Sequence, residues 1–155
     1  MFPDTQTAVV YAYRKIGRQQ IAASPVRPAP AESSRGLPDG QFVALVILGQ
    51  IGQIGHGRHF LDARYSRNSN QSREIVRDWL FDRMRRDRWF LDDVLRRWGG
   101  AKPAHDFRWW AKHLRRDYST IFRWKHRATD YLDLQLIRAE SEIDNRLRGA
   151  GIVGD

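Results

Sequence analysis

From Arg73 to Leu147 the apolar residues of this chain recur at three- and four-residue spacings, and nowhere do they alternate convincingly in twos. That period is the helical one, and it fixes the fold class before any other feature is read. Ile75, Val76, Trp79, Leu80 and Met84 lie on one face, and Phe90, Leu91, Val94, Leu95 and Trp98 repeat the pattern until Gly99-Gly100 stops it. Residues 73–98 are therefore one helix, or two broken near Asp87. Pro103 sits where the first turn of a next helix tolerates it. Phe107, Trp110, Ala111 and Leu114 follow at i, i+3, i+4 and i+7. A last helix is predicted from near Ser119 to about Arg148, with Ile121, Trp124, Ala128, Tyr131, Leu132, Leu136, Ile143 and Leu147 as its apolar positions. Gly149, Gly151 and Gly154 predict a frayed end.

The first 65 residues are less regular. Residues 5–22 read as a helix capped by Thr5 or Thr7, with Val9, Val10, Tyr13 and Ile16 near helical spacing. Residues 23–38 hold four of the six prolines and read as a linker or long loop. Asp39 is placed to cap the segment Phe42 to Ile54. That segment is apolar on nearly every face and predicts a buried helix, with a buried strand as the competing reading. Gly49 to Gly57 is glycine-rich but lacks the Gly-Lys-Ser/Thr ending of a phosphate loop, so it reads as a helix end and turn. Phe60, Leu61, Ala63, Arg64 and Tyr65 suggest a short helix, and Ser66 to Ser72 a polar loop. The organisation expected is an N-terminal helix (1–22), a linker or loop (23–38), a helical core (39–100), and a helix-turn-helix with a C-terminal helix (101–155). The fold expected is an all-α multi-helix bundle with a long last helix.

Composition excludes several chemistries. With no cysteine there is no disulfide scaffold, thiolate zinc site, iron–sulfur cluster or cysteine nucleophile. His56 and His59 are three apart, but no third ligand follows at a suitable spacing, so no metal and no cofactor is expected. Asp92 and Asp93 are adjacent and would point to different sides of a helix. Asp82 with Arg86, and Glu74 with Asp78, read as helix-surface charges. No Ser–His–Asp or glycosidase arrangement stands out, so the expectation is a non-enzyme. The longest apolar run, Phe42 to Leu48, is far short of a membrane span, and no secretory signal is visible. A soluble, cytoplasmic protein that does not engage membranes is expected.

Charge supplies the positive clue. Lys and Arg total 27 against 18 Asp and Glu, a formal net charge of +9. Residues 101–128 carry eight cations and two acids, whereas residues 129–155 carry three and six. A codon bias toward Arg would spread the charge evenly, so this concentration points to a local anion-binding surface.

The same stretch carries a pattern. Trp110, Ala111 and Leu114, then Ser119-Thr120, Ile121 and Trp124, resemble the helix-turn-helix of DNA-binding regulators and phage DNA-packaging proteins. In that family a small residue lets two helices cross closely, and a polar pair opens the recognition helix. The family usually has Gly in the turn, where this sequence has Arg115 and Arg116. Either Arg115 takes a left-handed conformation, or the turn differs and Tyr118 fills an apolar slot. The resemblance implies that Tyr118, Ser119, Phe122, Arg123 and His126 read bases in the major groove of duplex DNA. Lys112, Arg115, Arg116, Lys125 and Arg127 would contact phosphates. It further implies a transcription regulator of the phage late-gene activator or antiterminator kind, or a small terminase subunit. RNA polymerase or a packaging ATPase would be the protein partner. An inhibitor using its basic face on an acidic protein, and an RNA-binding protein, are the rival readings. Trp109 and Trp110 are candidates to stack bases of a single strand, Trp109 being the freer. Finally, Tyr131, Leu132, Leu134, Leu136, Ile137, Ile143 and Leu147 spread over more than one face, which suggests either a homodimer or a helix covered on both faces by residues 5–65 of the same chain.

Overall fold

The computed structural model describes residues 1–22, 39–67 and 69–154, so the expected linker at 23–38 lies outside the described residues. The described chain is all-α: α1 (Thr5–Ala22), α2 (Asp39–Gly52), α3 (Gly57–Tyr65), α4 (Asn70–Met84), α5 (Arg88–Trp98), α6 (Phe107–Leu114) and α7 (Tyr118–Gly149). No helix among the described residues is long and apolar enough to cross a membrane.

The last helix organises the rest. At 32 residues α7 spans about 48 Å at 1.5 Å per residue. Ile121, Ala128, Leu132, Leu136, Ala139, Ile143 and Leu147 form a buried stripe along its length. Every other helix packs against it. α1 pairs with α2, α3 with α4, and α4 with α5 around this spine. Phe60, Phe90, Leu61, Leu80, Leu91, Ile121, Leu132 and Ile143 are sealed in one continuous core.

Helix ends explain most boundaries. Residues 73–98 form two helices rather than one. Arg85 takes a left-handed conformation (φ 51°) while its N–H closes on the Phe81 carbonyl. The Asp87 side chain then accepts from the N–H groups of Trp89 and Phe90, both at 3.0 Å. α4 begins at Asn70, inside the predicted polar loop, because the Arg73 N–H closes a first turn on the Ser69 carbonyl at 2.7 Å. Asp4, not Thr5 or Thr7, caps α1, accepting from the Thr7 N–H at 2.7 Å and the Thr7 hydroxyl at 2.9 Å. Thr5 is buried, and its hydroxyl donates to Asp144 of α7. With Arg148 as its main partner, and Thr5 as the second, Asp144 is held below the usual carboxylate range. Pro103 does not open α6. It lies in the connecting loop, and Asp106 caps α6 instead, accepting from the Trp109 N–H at 2.7 Å.

Two further expectations are corrected. α2 is helical, but not buried all round: Ala44, Ile47 and Ile51 face the core while Phe42 and Leu45 are about half exposed. Among the described residues α1 packs most extensively on α2, with α7 along one edge. The C-terminus is not frayed. Gly151 (φ 70°) lets the Ile152 N–H reach the Leu147 carbonyl and the Gly151 N–H reach that of Arg148, both at 2.9 Å. Val153 is then buried and bridges Phe2, so the two chain ends are tied together.

Candidate nucleic-acid interface

α6 and α7 are joined by a three-residue turn whose form the hydrogen bonds define. The Arg116 N–H reaches the Ala111 carbonyl at 2.9 Å, and the Arg115 N–H reaches that of Lys112 at 3.3 Å. This is a glycine-type helix ending built without glycine. Arg115 sits at φ 52°, ψ 50°, the first of the two alternatives the sequence left open. Tyr118 accordingly does not fill an apolar slot and is about half exposed. A left-handed non-glycine residue is strained by about 1–2 kcal/mol. Arg115→Gly is therefore expected to stabilise the fold by roughly 0.5–1 kcal/mol, after the added chain entropy of glycine is deducted. Denaturant titration measures it, and a loss of stability would show that the Arg115 side chain contributes more than its strain removes.

The inward residues hold the pair to the core. Ile121 and Trp110 are buried, while Ala111, Leu114 and Trp124 are half-buried. Phe90 of α5 meets the rings of Trp110 and Trp124 edge-on, at 5.7 and 6.1 Å. Behind them lies Asp93, which a reading of adjacent carboxylates left without a role. It is 2% exposed. Its carboxylate accepts from the Ala104 N–H at 2.6 Å, the His105 N–H at 2.9 Å and the Trp110 indole N–H at 2.7 Å. Asp92 faces another way, as expected, but is buried too, ringed by Arg73, Arg77 and Arg96 at 3.5, 4.0 and 3.0 Å. Asp82 meets Arg85, not Arg86, whose guanidinium instead lies 4.3 Å from the Trp124 ring centre.

The outward residues form a basic, aromatic surface. Tyr118, Ser119, Phe122, Arg123 and His126 are exposed, as are Lys112, Arg115, Arg116 and Arg127. Lys125 is half-buried, with its ammonium 5.4 Å from the Phe122 ring centre, so it is less available than the others. Phe122 is only partly a surface group: it packs edge-on to Phe107 and His126 and tilted against Tyr118. Arg123 donates to the Thr120 hydroxyl at 3.2 Å. Among the described residues, no cation between 101 and 128 lies within 4 Å of a carboxylate, although Arg73, Arg77, Arg85, Arg88, Arg96 and Arg148 all do.

One surface feature went unread in the sequence. The Trp109 indole is stacked between two imidazoles, His105 at 3.4 Å and His113 at 4.6 Å, with interplanar angles of 9° and 15°. The spacing of these three residues, each four from the next, was its signal. Trp110, by contrast, is committed to the core.

A second polar cluster lies apart, between α1, α3 and α4. Tyr13 donates to Asp62, the Ser72 hydroxyl donates to the same carboxylate at 3.0 Å, and His59 Nδ1 meets Ser72 Oγ at 3.1 Å. A serine, a histidine and an aspartate thus come together, which the sequence did not suggest. The order is wrong for an activated serine, because Ser72 is bound directly to the carboxylate and His59 is not oriented by it. Burial, with the Asp62 charge, pushes the Tyr13 hydroxyl well above the usual range, and burial lowers His59. Nearby, burial and a 2.7 Å hydrogen bond to Glu140 push Tyr65 up to about 12. No group of acids and histidines that could hold a metal occurs among the described residues.

No protein-family model matches this sequence, and no curated protein matches it.

Proposed function

We propose that this protein binds duplex DNA through the α6–α7 surface and acts as a transcription regulator. The observation that carries the reading is the exposed N-terminal part of α7. There Ser119 and Arg123 stand outward, flanked by cations that have no carboxylate within 4 Å among the described residues. Unpaired guanidinium groups beside an exposed helix start suit base edges and phosphates together. One face of the remaining turns of α7 is buried as the spine of the fold, so the reading end is mounted rigidly. Rigidity lowers the entropic cost of docking. A small terminase subunit would use the same surface on packaging DNA. Selection of bound duplexes from a random library tests both.

Positioning and reading separate by mutation. Arg123→Ala is expected to cost about 1–3 kcal/mol at the preferred site and to relax specificity there. Lys112→Ala is expected to weaken all duplexes alike. Binding titrations over a panel of sites measure the difference, and identical behaviour of the two variants would overturn the assigned geometry.

Dimerisation would place two such surfaces on two half-sites. Leu136 and Ile143, which the sequence suggested for pairing, belong to the chain's own core. The face left for a second copy is Leu134 and Ile137, 47% and 63% exposed. Replacing both by Asp is expected to convert dimer to monomer in sedimentation with the fold retained. A wild-type monomer at micromolar concentration would end this part of the reading.

A further inference from the structure

Away from the α6–α7 surface, α1, α3, α4 and α5 enclose an open groove of about 650 Å³. Six arginines line it: Arg14, Arg64, Arg67, Arg73, Arg96 and Arg97. No Asp or Glu is among the described residues that line it. Asp92 balances Arg73 and Arg96 from beneath, but Arg14, Arg64, Arg67 and Arg97 have no carboxylate within 4 Å among the described residues.

The groove is built, not incidental. Its floor forms where the end of α3 meets the end of α5. Gly99 permits that approach, since a Cβ there would stand 2.4 Å from the Ala63 carbonyl oxygen. Arg64 donates across the junction to the Trp98 carbonyl, and its guanidinium lies 5.3 Å from the Trp98 ring centre. Arg97 donates to the His105 carbonyl at 2.9 Å, while its Nε is buried without a hydrogen-bond partner. Arg14 and Arg67 stand exposed on this concave surface beside Arg64, with no carboxylate within 4 Å among the described residues, and their mutual repulsion is one that an anion would relieve. Their forked geometry suits phosphate, and the volume suits a small ligand.

We propose that this groove is a phosphate-binding site for an oligophosphate group. That group belongs to a free phosphorylated small molecule or to a nucleic-acid backbone, and the site does not depend on the reading of α6 and α7. Calorimetric titration of the full chain with inorganic triphosphate tests it. One saturable site is expected. Replacing Arg14 and Arg67 together by Gln is expected to weaken it at least tenfold. Both side chains are exposed, so the fold, checked by circular dichroism, should persist. Arg83→Gln with Arg138→Gln removes the same charge elsewhere and should leave the affinity within about twofold. Triphosphate binding that is absent, or that falls equally in both double variants, would overturn the proposal. Competition then identifies the source. Displacement of triphosphate by duplex DNA, with weaker duplex binding in the groove variant, assigns a backbone. Triphosphate retained in the presence of duplex assigns the free ligand.

Discussion

Asp93→Ala is expected to destabilise the protein by about 2–4 kcal/mol, because three donors, the Trp110 indole fully buried and two backbone N–H groups part-buried, lose their acceptor at once. The Ala104 and His105 N–H groups and the Trp110 indole N–H all converge on this one carboxylate. Each unsatisfied donor costs about 1–3 kcal/mol, and water entering the space left by the side chain would recover part. For a chain of this length the melting temperature should fall by roughly 10 °C. The effect should also reach the proposed interface. Residues 104 and 105 lead into the Asp106 cap of α6, and Trp110 is the residue that anchors α6 to Phe90. Asp93→Asn keeps a carbonyl oxygen but turns an amide toward a donor, so an intermediate loss is expected. Thermal denaturation of both variants checks the order. A change under about 1 kcal/mol in Asp93→Ala would mean that the loop finds other acceptors.

This carboxylate also shows where the sequence stops being legible. The helices themselves were readable, because an apolar period of 3.6 depends only on neighbours along the chain. α7 begins and ends within one residue of its expected limits for that reason, whereas α6 starts four residues after Pro103, at Phe107. Asp93 carries no such signal: an acid in a helix reads as solvated unless its partners, 11 to 17 residues away, are known. The exposed side of α2 was hidden likewise. Phe42 and Leu45 look like core residues until the number of helices packed on α2 is known. Caps were partly readable. Asp87 was legible as a break, but Asp4 and Asp106 lost to nearby Thr5, Thr7 and Pro103, which satisfy the same local rules. Of the candidate interface, the outward set on α7 came from the helix-turn-helix resemblance, with the inward period of Ile121 and Trp124 placing the residues between them outward. The partial burial of Lys125 depends on Phe122, and the arginine groove draws on four helices, so neither could be read from one segment.

Association with duplex DNA is expected to weaken by about 10²- to 10⁴-fold as monovalent salt rises from about 50 to 200 mM, if roughly four to eight phosphates are contacted. The expected size follows from the charge arrangement. Cations already paired with carboxylates give little on binding, since their counterions are internal. Those between residues 101 and 128 have no such partners among the described residues, so docking would release condensed ions from the DNA for nearly every contact. Lys112→Ala should lower the logarithmic salt slope by close to one contact. Arg123→Ala should change the slope less than it changes the choice of sequence, if it meets a base edge and not a phosphate. Fluorescence anisotropy of a labelled duplex across the salt series measures both quantities. A flat response would remove phosphate contact as the source of affinity and with it the DNA reading of this surface. A steep response left unchanged in Lys112→Ala would instead place the contacts on another basic face.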